Sequence, residues 1–453
     1  MKRYEAYKPS NLPWVAEIPS GWKISKNSQL FRESSELSEK GEEPLLSLSQ
    51  YTGISYKSNA AKIGMREADS KIGYRVIHED DIVMNIMLAW NGSTAVSPFD
   101  GIISPAYAVY RQRTALNPKY FHYLFRIPAI CSYFESNSTG LIKSRLRLYS
   151  DSFMRLFSIF PPREEQDQIV RYLDWQVSKI NRLIAAKREK IALFEELKTH
   201  QTTDAVLHGV KQYKKYIETQ EFGRIPAHWQ IYQNKRLFRE RVEHSKMGAE
   251  TLLSVSKHYG VKPSADLTED EQFATIKPAL SLAGYKVVHK NDLVMNIMRA
   301  RNGSYGISAY NGIVSPAYCI YYVTKNCNVK YLHYFLRTPH VKSLFETYSS
   351  GIAEHRRRLY PEDFLRLASV LPPIEDQNEI VEYIEQSLVK YDEAIANLKR
   401  QIACLQDMKT RLISDVVTGQ IDVRSIKVPD NEYINNEITE EEFEEESENN
   451  EEE

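Results

Sequence analysis

Two short basic runs carry the residues best suited to chemistry in this sequence, and the chemistry they suit is binding. Lys143-Ser-Arg-Leu-Arg-Leu148 follows Gly140, and His355-Arg-Arg-Arg-Leu359 follows Gly351. Lys143, Arg145 and Arg147 in the first, and Arg356, Arg357 and Arg358 in the second, are closely spaced cations of the kind that contact the phosphates of a duplex. One such run alone is ordinarily a solvated charged face. Two at equivalent places in a duplicated chain weigh as much towards a polyanion as towards solvent. A second candidate is a turn that occurs twice, Leu88-Ala-Trp-Asn-Gly92 and Arg299-Ala-Arg-Asn-Gly303, with only the first and third residues differing. Arginine forks onto O6 and N7 of guanine, so Arg299 and Arg301 are candidate base readers beside Asn302. Trp90, beside Asn91, would instead meet something apolar or stacked, together with Leu88. The alternative is that Trp90 packs and the two arginines pair with carboxylates.

Other constellations fail on spacing. Ser104-Pro-Ala-Tyr107 and Ser315-Pro-Ala-Tyr318 invite comparison with the polar-Pro-Pro-aromatic loop of amino-methyltransferases. The second proline is missing, however, and no glycine-rich strand-to-helix turn precedes either copy, so a strand edge entered through proline is the better reading. The histidines show no metal-ligand spacing, and His78 and His289 stand where a turn precedes a strand. Neither a GxxxxGK[ST] loop nor a nuclease-like Asp/Glu/Lys cluster is present.

The elements that must hold these residues follow from an internal repeat. Ile18-Pro-Ser-Gly-Trp22 returns as Ile225-Pro-Ala-His-Trp229, and Gly73–Ser93 matches Gly284–Ser304 at 14 of 21 positions. Chance would give about one match, so the chain is a duplication. Each half predicts an α+β globular part with strands first and helices after. Asp81–Met87 and Gly101–Tyr110 are expected as strands around the Asn91-Gly92 turn, with short helices near Tyr120 and Phe134. Residues 209–221, polar and charged, look like a link. Each globular part is followed by a long helix. Leu173, Val177, Ile180, Ile184, Ile191 and Phe194 keep a coiled-coil spacing broken only at Lys187, answered by Ile384, Leu388, Tyr391, Ile395, Leu398, Ile402 and Leu405. Both helices are announced alike, by Pro161-Pro162-Arg-Glu-Glu-Gln and Pro372-Pro373-Ile-Glu-Asp-Gln, with proline and then acid at the positive end of the helix dipole. Two matching seams in one chain most simply pack on each other.

The balance of 59 basic against 60 acidic residues hides an asymmetry. The last 24 residues, from Asp430, hold 13 acids and no base, so the body carries a charge of +12, which points towards a polyanion. The tail, with Glu440-Glu-Glu-Phe-Glu-Glu-Glu, is too poor in apolar residues to fold, which predicts disorder. No run of 18 apolar residues suggests a membrane span. The four cysteines form no framework, which suits a reducing cytoplasm.

Over residues 10–425, the Ile-Pro-x-x-Trp opening, the Gly-Ile-x-Ser-Pro-x-Tyr segment and the Pro-Pro-x-x-Glu/Asp-Gln helix, taken twice in this order, resemble the DNA-specificity subunit of a type I restriction-modification system. The resemblance implies two tandem α/β target-recognition domains, residues 1–162 and 210–373, separated by two long helices packed as an antiparallel coiled coil. The helices would be conserved spacers over 163–209 and 374–424, followed by the acidic tail, 425–453. It implies that each globular part reads half of a split site in double-stranded DNA and that the helices set the spacer. The helices would also dock two methylation subunits, which a restriction subunit joins. No catalytic residue, metal or cofactor is then expected in this chain; S-adenosylmethionine, ATP and magnesium would belong to the partners. Two other readings stay open. A self-specifying DNA methyltransferase would need the cofactor loop that is absent, and a coiled-coil scaffold with non-specific DNA binding leaves the paired clusters unexplained.

Overall fold

A computed structural model describes residues 2–49, 53–57, 70–257, 259–267, 281–351 and 357–429. The described residues divide into two compact units: one joins the residues up to Lys187 to residues 400–429, and the other holds Arg188–Lys399.

At the centre of the first unit lies an antiparallel sheet in the order Phe31–Glu33, Tyr107–Gln112, Ile82–Asn85, Thr94–Val96. Ile82–Asn85 is buried throughout, because both faces of the strand are covered. Alternate residues go to opposite sides. Ile82, Met84, Ala108 and Tyr110 join the large core with Phe121, Phe125 and Phe134. Phe121 and Phe134 come from two helices, Pro118–Leu124 and Pro128–Ser136, and Phe125 caps the first of them. Val83 and Val109 point the other way, into a small cluster with Leu46, Ile54, Ile77 and Ile103. Those four belong to two small ladders, Leu46–Ser49 with Gly53–Tyr56 and Arg75–Ile77 with Gly101–Ile103. The second unit repeats the plan. Its sheet runs Phe238–Glu240, Tyr318–Val323, Leu293–Asn296, Tyr305–Ile307. Leu293 and Met295 enter one core and Val294 and Ile320 the other.

Three sequence expectations need correction. The strand that pairs with Ile82–Asn85 across Asn91-Gly92 is Thr94–Val96, not the Gly101–Tyr110 segment. That segment is broken at Pro105, which has no N–H to give a ladder. The Tyr107 N–H instead closes a turn on the Ser104 carbonyl at 3.1 Å, so the pieces on either side join different ladders. Strands do not all precede helices either, since Phe157–Phe160 returns after them to pair with Lys23–Lys26. The supposed link contains Tyr216–Thr219, half of a hairpin with Gly223–Pro226 that answers Tyr7–Leu12 with Val15–Pro19.

The long helices run Arg163–His208 and Ile374–Val417, and each contributes one part to each unit. In the first unit Leu173, Ile180 and Ile184 are buried with Ile402. The Lys187 ammonium donates to the Gln401 amide oxygen at 2.5 Å and Lys409 to Asn181 at 3.1 Å. In the second unit Ile384, Ile395 and Leu398 are buried, Phe194 meets Tyr391 at 6.0 Å between ring centres, and Lys198 pairs with Asp392 at 2.6 Å. Further along, the Gln201 amide donates to the Tyr383 hydroxyl at 2.6 Å. From Asn181 with Lys409 to Lys187 with Gln401, and from Lys198 with Asp392 to Gln201 with Tyr383, partner numbers fall as the first helix climbs, so within each unit the pairing is antiparallel. Lys187, the break in the seam, spends its charge on a cross-helix hydrogen bond instead of leaving the interface.

Each helix ends inside a globular core. Val416 and Val417 lie with Trp22 and Tyr120, and Ala205, Val206 and Leu207 with Trp229 and Tyr331. The Tyr120 hydroxyl donates to the Val417 carbonyl at 2.9 Å and the Tyr331 hydroxyl to that of Val206 at 3.2 Å, which satisfies orphan carbonyls of the last turn. Gly419 closes the second helix with φ of 73°, against Pro19 so tightly that a Cβ would lie 2.4 Å from the ring.

Candidate nucleic-acid interface

The two candidate surfaces of the first unit are brought together. Ile82–Asn85 ends at Asn85, whose side-chain oxygen accepts from the Met87 N–H at 3.0 Å and starts a 3-10 turn over Ala89–Asn91. Gly92 leaves it with φ of 91°, a left-handed value that favours glycine. Asn91 is partly spent on this turn, its side-chain oxygen accepting from the Ser93 N–H at 3.2 Å and hydroxyl at 2.8 Å. The Trp90 indole N–H donates to the Met87 carbonyl at 3.0 Å, which leaves the ring as a half-buried face. Over that face lies the Lys143 ammonium, 4.8 Å from the ring centre, which also pairs with Glu135 at 3.2 Å.

Lys143 belongs to a closed loop. Thr139 and Arg147 exchange both backbone hydrogen bonds, at 2.9 and 3.0 Å, and Leu148 is buried, its N–H donating to the Ile86 carbonyl at 2.8 Å. The basic run is thereby hung on the strand end that carries the turn. Arg147 reaches the Met87 sulfur at 3.7 Å, while Arg145 is exposed.

In the second unit, Ser350 and Arg358 exchange the same pair of bonds, and Leu359 donates to the Ile297 carbonyl at 3.0 Å. Of the three arginines expected there, Arg358 is exposed and Arg357 half-buried, while Arg356 lies outside the described residues, as does the tail from Asp430. The turn Ala300–Asn302 keeps its shape, with Gly303 at φ of 90°. Arg299 and Asn302 are exposed and Arg301 half-buried. Among the described residues no carboxylate lies within ion-pair distance of Arg299.

Reasoning from sequence missed Lys342. A Cβ on Gly303 would sit 3.3 Å from its Cε, where the first unit has the Cys131 sulfur behind Gly92 at 3.6 Å. Burial, with Arg337 beside it, holds the Lys342 amine below the usual lysine range. Arg337, which caps the helix Val329–Leu336, donates to the Tyr305 carbonyl at 2.8 Å and ties that helix to the strand after the turn. No motif marks Lys342; only the turn's packing identifies it.

The histidines that matter were visible in both copies but had no metal or catalytic spacing to single them out. His122 Nδ1 accepts from the Val96 N–H at 3.5 Å and His333 Nδ1 from that of Ile307 at 3.3 Å. Burial, with Arg337 beside it, pushes His333 down to about 4, and burial moves His122 down in the same way. Both act as neutral acceptors that pin the edge strand. His78 and His289 do stand in turns, where their N–H groups donate to Asp81 and Asp292, both at 2.9 Å. Their rings face Glu36 and Glu243.

The start signal of the long helices also does more than suit the dipole. Glu165 accepts from the Trp22 indole at 2.9 Å and the Tyr4 hydroxyl at 2.6 Å. Asp376 accepts from the Trp229 indole at 3.0 Å and pairs with His228 at 3.0 Å and Lys211 at 2.9 Å. Gln166 and Gln377 bridge the proline carbonyls at 2.8 and 2.7 Å to the Asn117 and Asn328 N–H groups, both at 2.8 Å. The Ile-Pro-x-x-Trp and Pro-Pro-x-x-Glu/Asp-Gln motifs are therefore two halves of one joint.

No helix among the described residues is long and apolar enough to cross a membrane. No family model matches the chain, and no curated protein matches it. Solved structures do. The HsdS subunit from Thermoanaerobacter tengcongensis matches at 16% identity over 89% of this chain and 98% of its own, with a TM-score of 0.45. The S subunit of the type I restriction-modification system of M. genitalium matches at 10% identity over 87% and 96%, with a TM-score of 0.31. A chain from a structure on complex assembly and conformational transition of the type I R-M system matches at 15% identity over 89% of this chain and 99% of its own, with a TM-score of 0.63. What this last likeness establishes is the fold, shared along nearly the whole length of both chains.

Proposed function

We propose that this chain is the non-catalytic DNA-specificity subunit of a type I restriction-modification system, each globular part reading one half of a split site in double-stranded DNA. The observation that carries the reading is the joined surface of turn and basic loop. Its frame, the turn and the closing pair tied to the same strand end, recurs in both copies, and the turns carry different side chains, as two readers of two different half-sites require. The fold shared with a chain of a type I R-M structure supports it. Phosphate contacts from Arg145, Arg358 and their neighbours would set register, and the turns would contribute base readout.

The helices would dock two methylation subunits and set the spacer between half-sites. Apolar side chains left exposed on them favour a protein partner: Leu183 and Met408 in the first unit, and Leu193, Leu197 and Val389 in the second. The methylation and restriction subunits would supply the chemistry together with S-adenosylmethionine, ATP and magnesium, and the complex would work in the cytoplasm.

Co-expression with its methylation subunits, followed by mapping of methylated bases in host DNA, tests the reading. A bipartite methylated motif that disappears when this chain is deleted is expected. Methyl transfer by the purified chain alone, or a motif that persists without it, would overturn the proposal. Removing one heptad from each helix should alter the spacer by about three base pairs and leave the half-sites unchanged.

A further inference from the structure

The basic loop of the first unit carries an apolar tip that its charges do not explain. Leu141 is fully exposed and Ile142 more than half exposed, immediately before Lys143. The loop is held in this form from both ends. The Thr139 and Arg147 pairing closes it, and Gly140 lies so near the Arg145 carbonyl oxygen that a Cβ would be 2.6 Å away. The Arg145 N–H donates to the Ile142 carbonyl at 2.8 Å, so the two apolar residues are raised on a built turn. A leucine held out in this way costs the folded chain apolar burial and returns nothing within it.

The repeat supplies an independent observation. At the offset of 211 that equates the two closing pairs, Leu141 corresponds to Ile352 and Lys143 to Glu354. In sequence, the charge at the Lys143 position is reversed between copies while the Leu141 position stays apolar. Phosphate binding alone would favour the opposite pattern.

We propose that Leu141 is a base-contacting residue, presented by the flanking cations to the bases of a DNA duplex, where it makes an apolar contact. The occupant is set by charge, since Lys143, Arg145 and Arg147 follow the tip within the same closed loop of nine residues. Such a contact takes one of two forms, the C5-methyl group of a thymine or a base step opened by the side chain as a wedge. This inference rests on the proposed function.

The test is selection from a random duplex library by the chain assembled with its methylation subunits, for the wild type and Leu141→Ala. The tip is exposed, so the variant should fold, which an unchanged Tm confirms. The selected motif should lose information at one or two adjacent base pairs of one half-site, with about tenfold weaker binding to the wild-type motif. Affinity for sheared bulk DNA and its salt dependence should stay unchanged. Arg145→Ala should do the reverse, weakening binding to all duplexes and lowering the salt slope by about one. Replacing thymine by uracil at the affected pair reports a methyl contact, and 2-aminopurine fluorescence at the affected step reports a wedge. Either response, present in the wild type and lost in Leu141→Ala, supports the proposal. A motif and affinity unchanged in Leu141→Ala overturn it while leaving the proposed function standing. A wild-type assembly that selects no motif overturns the function itself.

Discussion

In the first unit the turn after the central strand presents Leu88 and Trp90, has Cys131 behind Gly92, and is covered by Lys143. In the second the same turn presents Arg299 and Arg301, with Lys342 behind Gly303, and the residue answering Lys143 is Glu354. The backbone is the same to within a degree at the closing glycine, 91° against 90°. The difference shows how a duplicated scaffold diversifies. Groups that pin the turn and its strand, Asn85 and Asn296, His122 and His333, are kept, while the turn's outward residues have changed from Leu88 and Trp90 to Arg299 and Arg301. The kept groups and the changed ones should answer to different experiments.

The largest effect is expected where the copies agree. His333 is held near 4 when folded and lies at about 6.5 when unfolded, and His122 is lowered in the same direction. A folded imidazole that resists protonation contributes no pH dependence above 6.5. Between about 6.5 and 4 the unfolded chain binds the extra proton, so stability falls as pH falls. For His333 the loss reaches about 3 kcal/mol at the bottom of that window. Chemical denaturation across pH should show this slope, and His333→Gln should flatten it. An equal slope in that variant would sink the assignment.

The joints between opening motif and helix start should differ in weight. Asp376→Ala strands the Trp229 indole and loses its partners Lys211 and His228, a cost of about 2–3 kcal/mol, whereas Glu165→Ala loses hydrogen bonds to two neutral groups, about 1–2 kcal/mol. Burial alone would raise the Asp376 carboxyl, but the hydrogen bonds from Lys211, His228 and Trp229 outweigh it and hold the group low. Its contribution is therefore present above the unfolded value near 3.8 and is lost as pH falls through the lower folded one. Equal denaturation midpoints for the two variants would erase this contrast.

Arg299→Leu with Arg301→Trp gives the second turn the outward side chains of the first. If the arginines read bases, each is worth about 1–3 kcal/mol of discrimination, and the second half of the methylated motif should lose guanine and move towards the first. A motif unchanged at every position, with uniformly lower affinity, would place these arginines on phosphates. The smallest effect belongs to the residues behind the turn. Lys342→Cys should weaken duplex binding roughly three- to fivefold and lower the salt slope by about one, and Cys131→Lys should do the opposite in the first unit. No change in slope for either would show that Lys342 only packs.

The duplication, the seams of the two long helices and their start signals were legible from sequence because each depends on spacing along one segment. Residues such as Leu173, Ile184 and Ile395 are buried as their periodicity requires. Strand partners were legible only in part. Asp81–Met87 is apolar enough to announce a strand, but which neighbour it takes depends on Pro105 removing a ladder donor and on Phe157–Phe160 returning from far along the chain. Of the candidate site, the sequence by itself determined the two turns, the two basic loops and the differences between copies. Only the tertiary structure decided that turn and loop share one strand end, that Lys342 stands behind Gly303, that Glu165 and Asp376 hold distant tryptophans, and that Leu141 stands exposed on a closed loop. The physical reason is that spacing constrains neighbours within one segment, whereas these meetings join segments that the chain brings together only when their shared cores are buried.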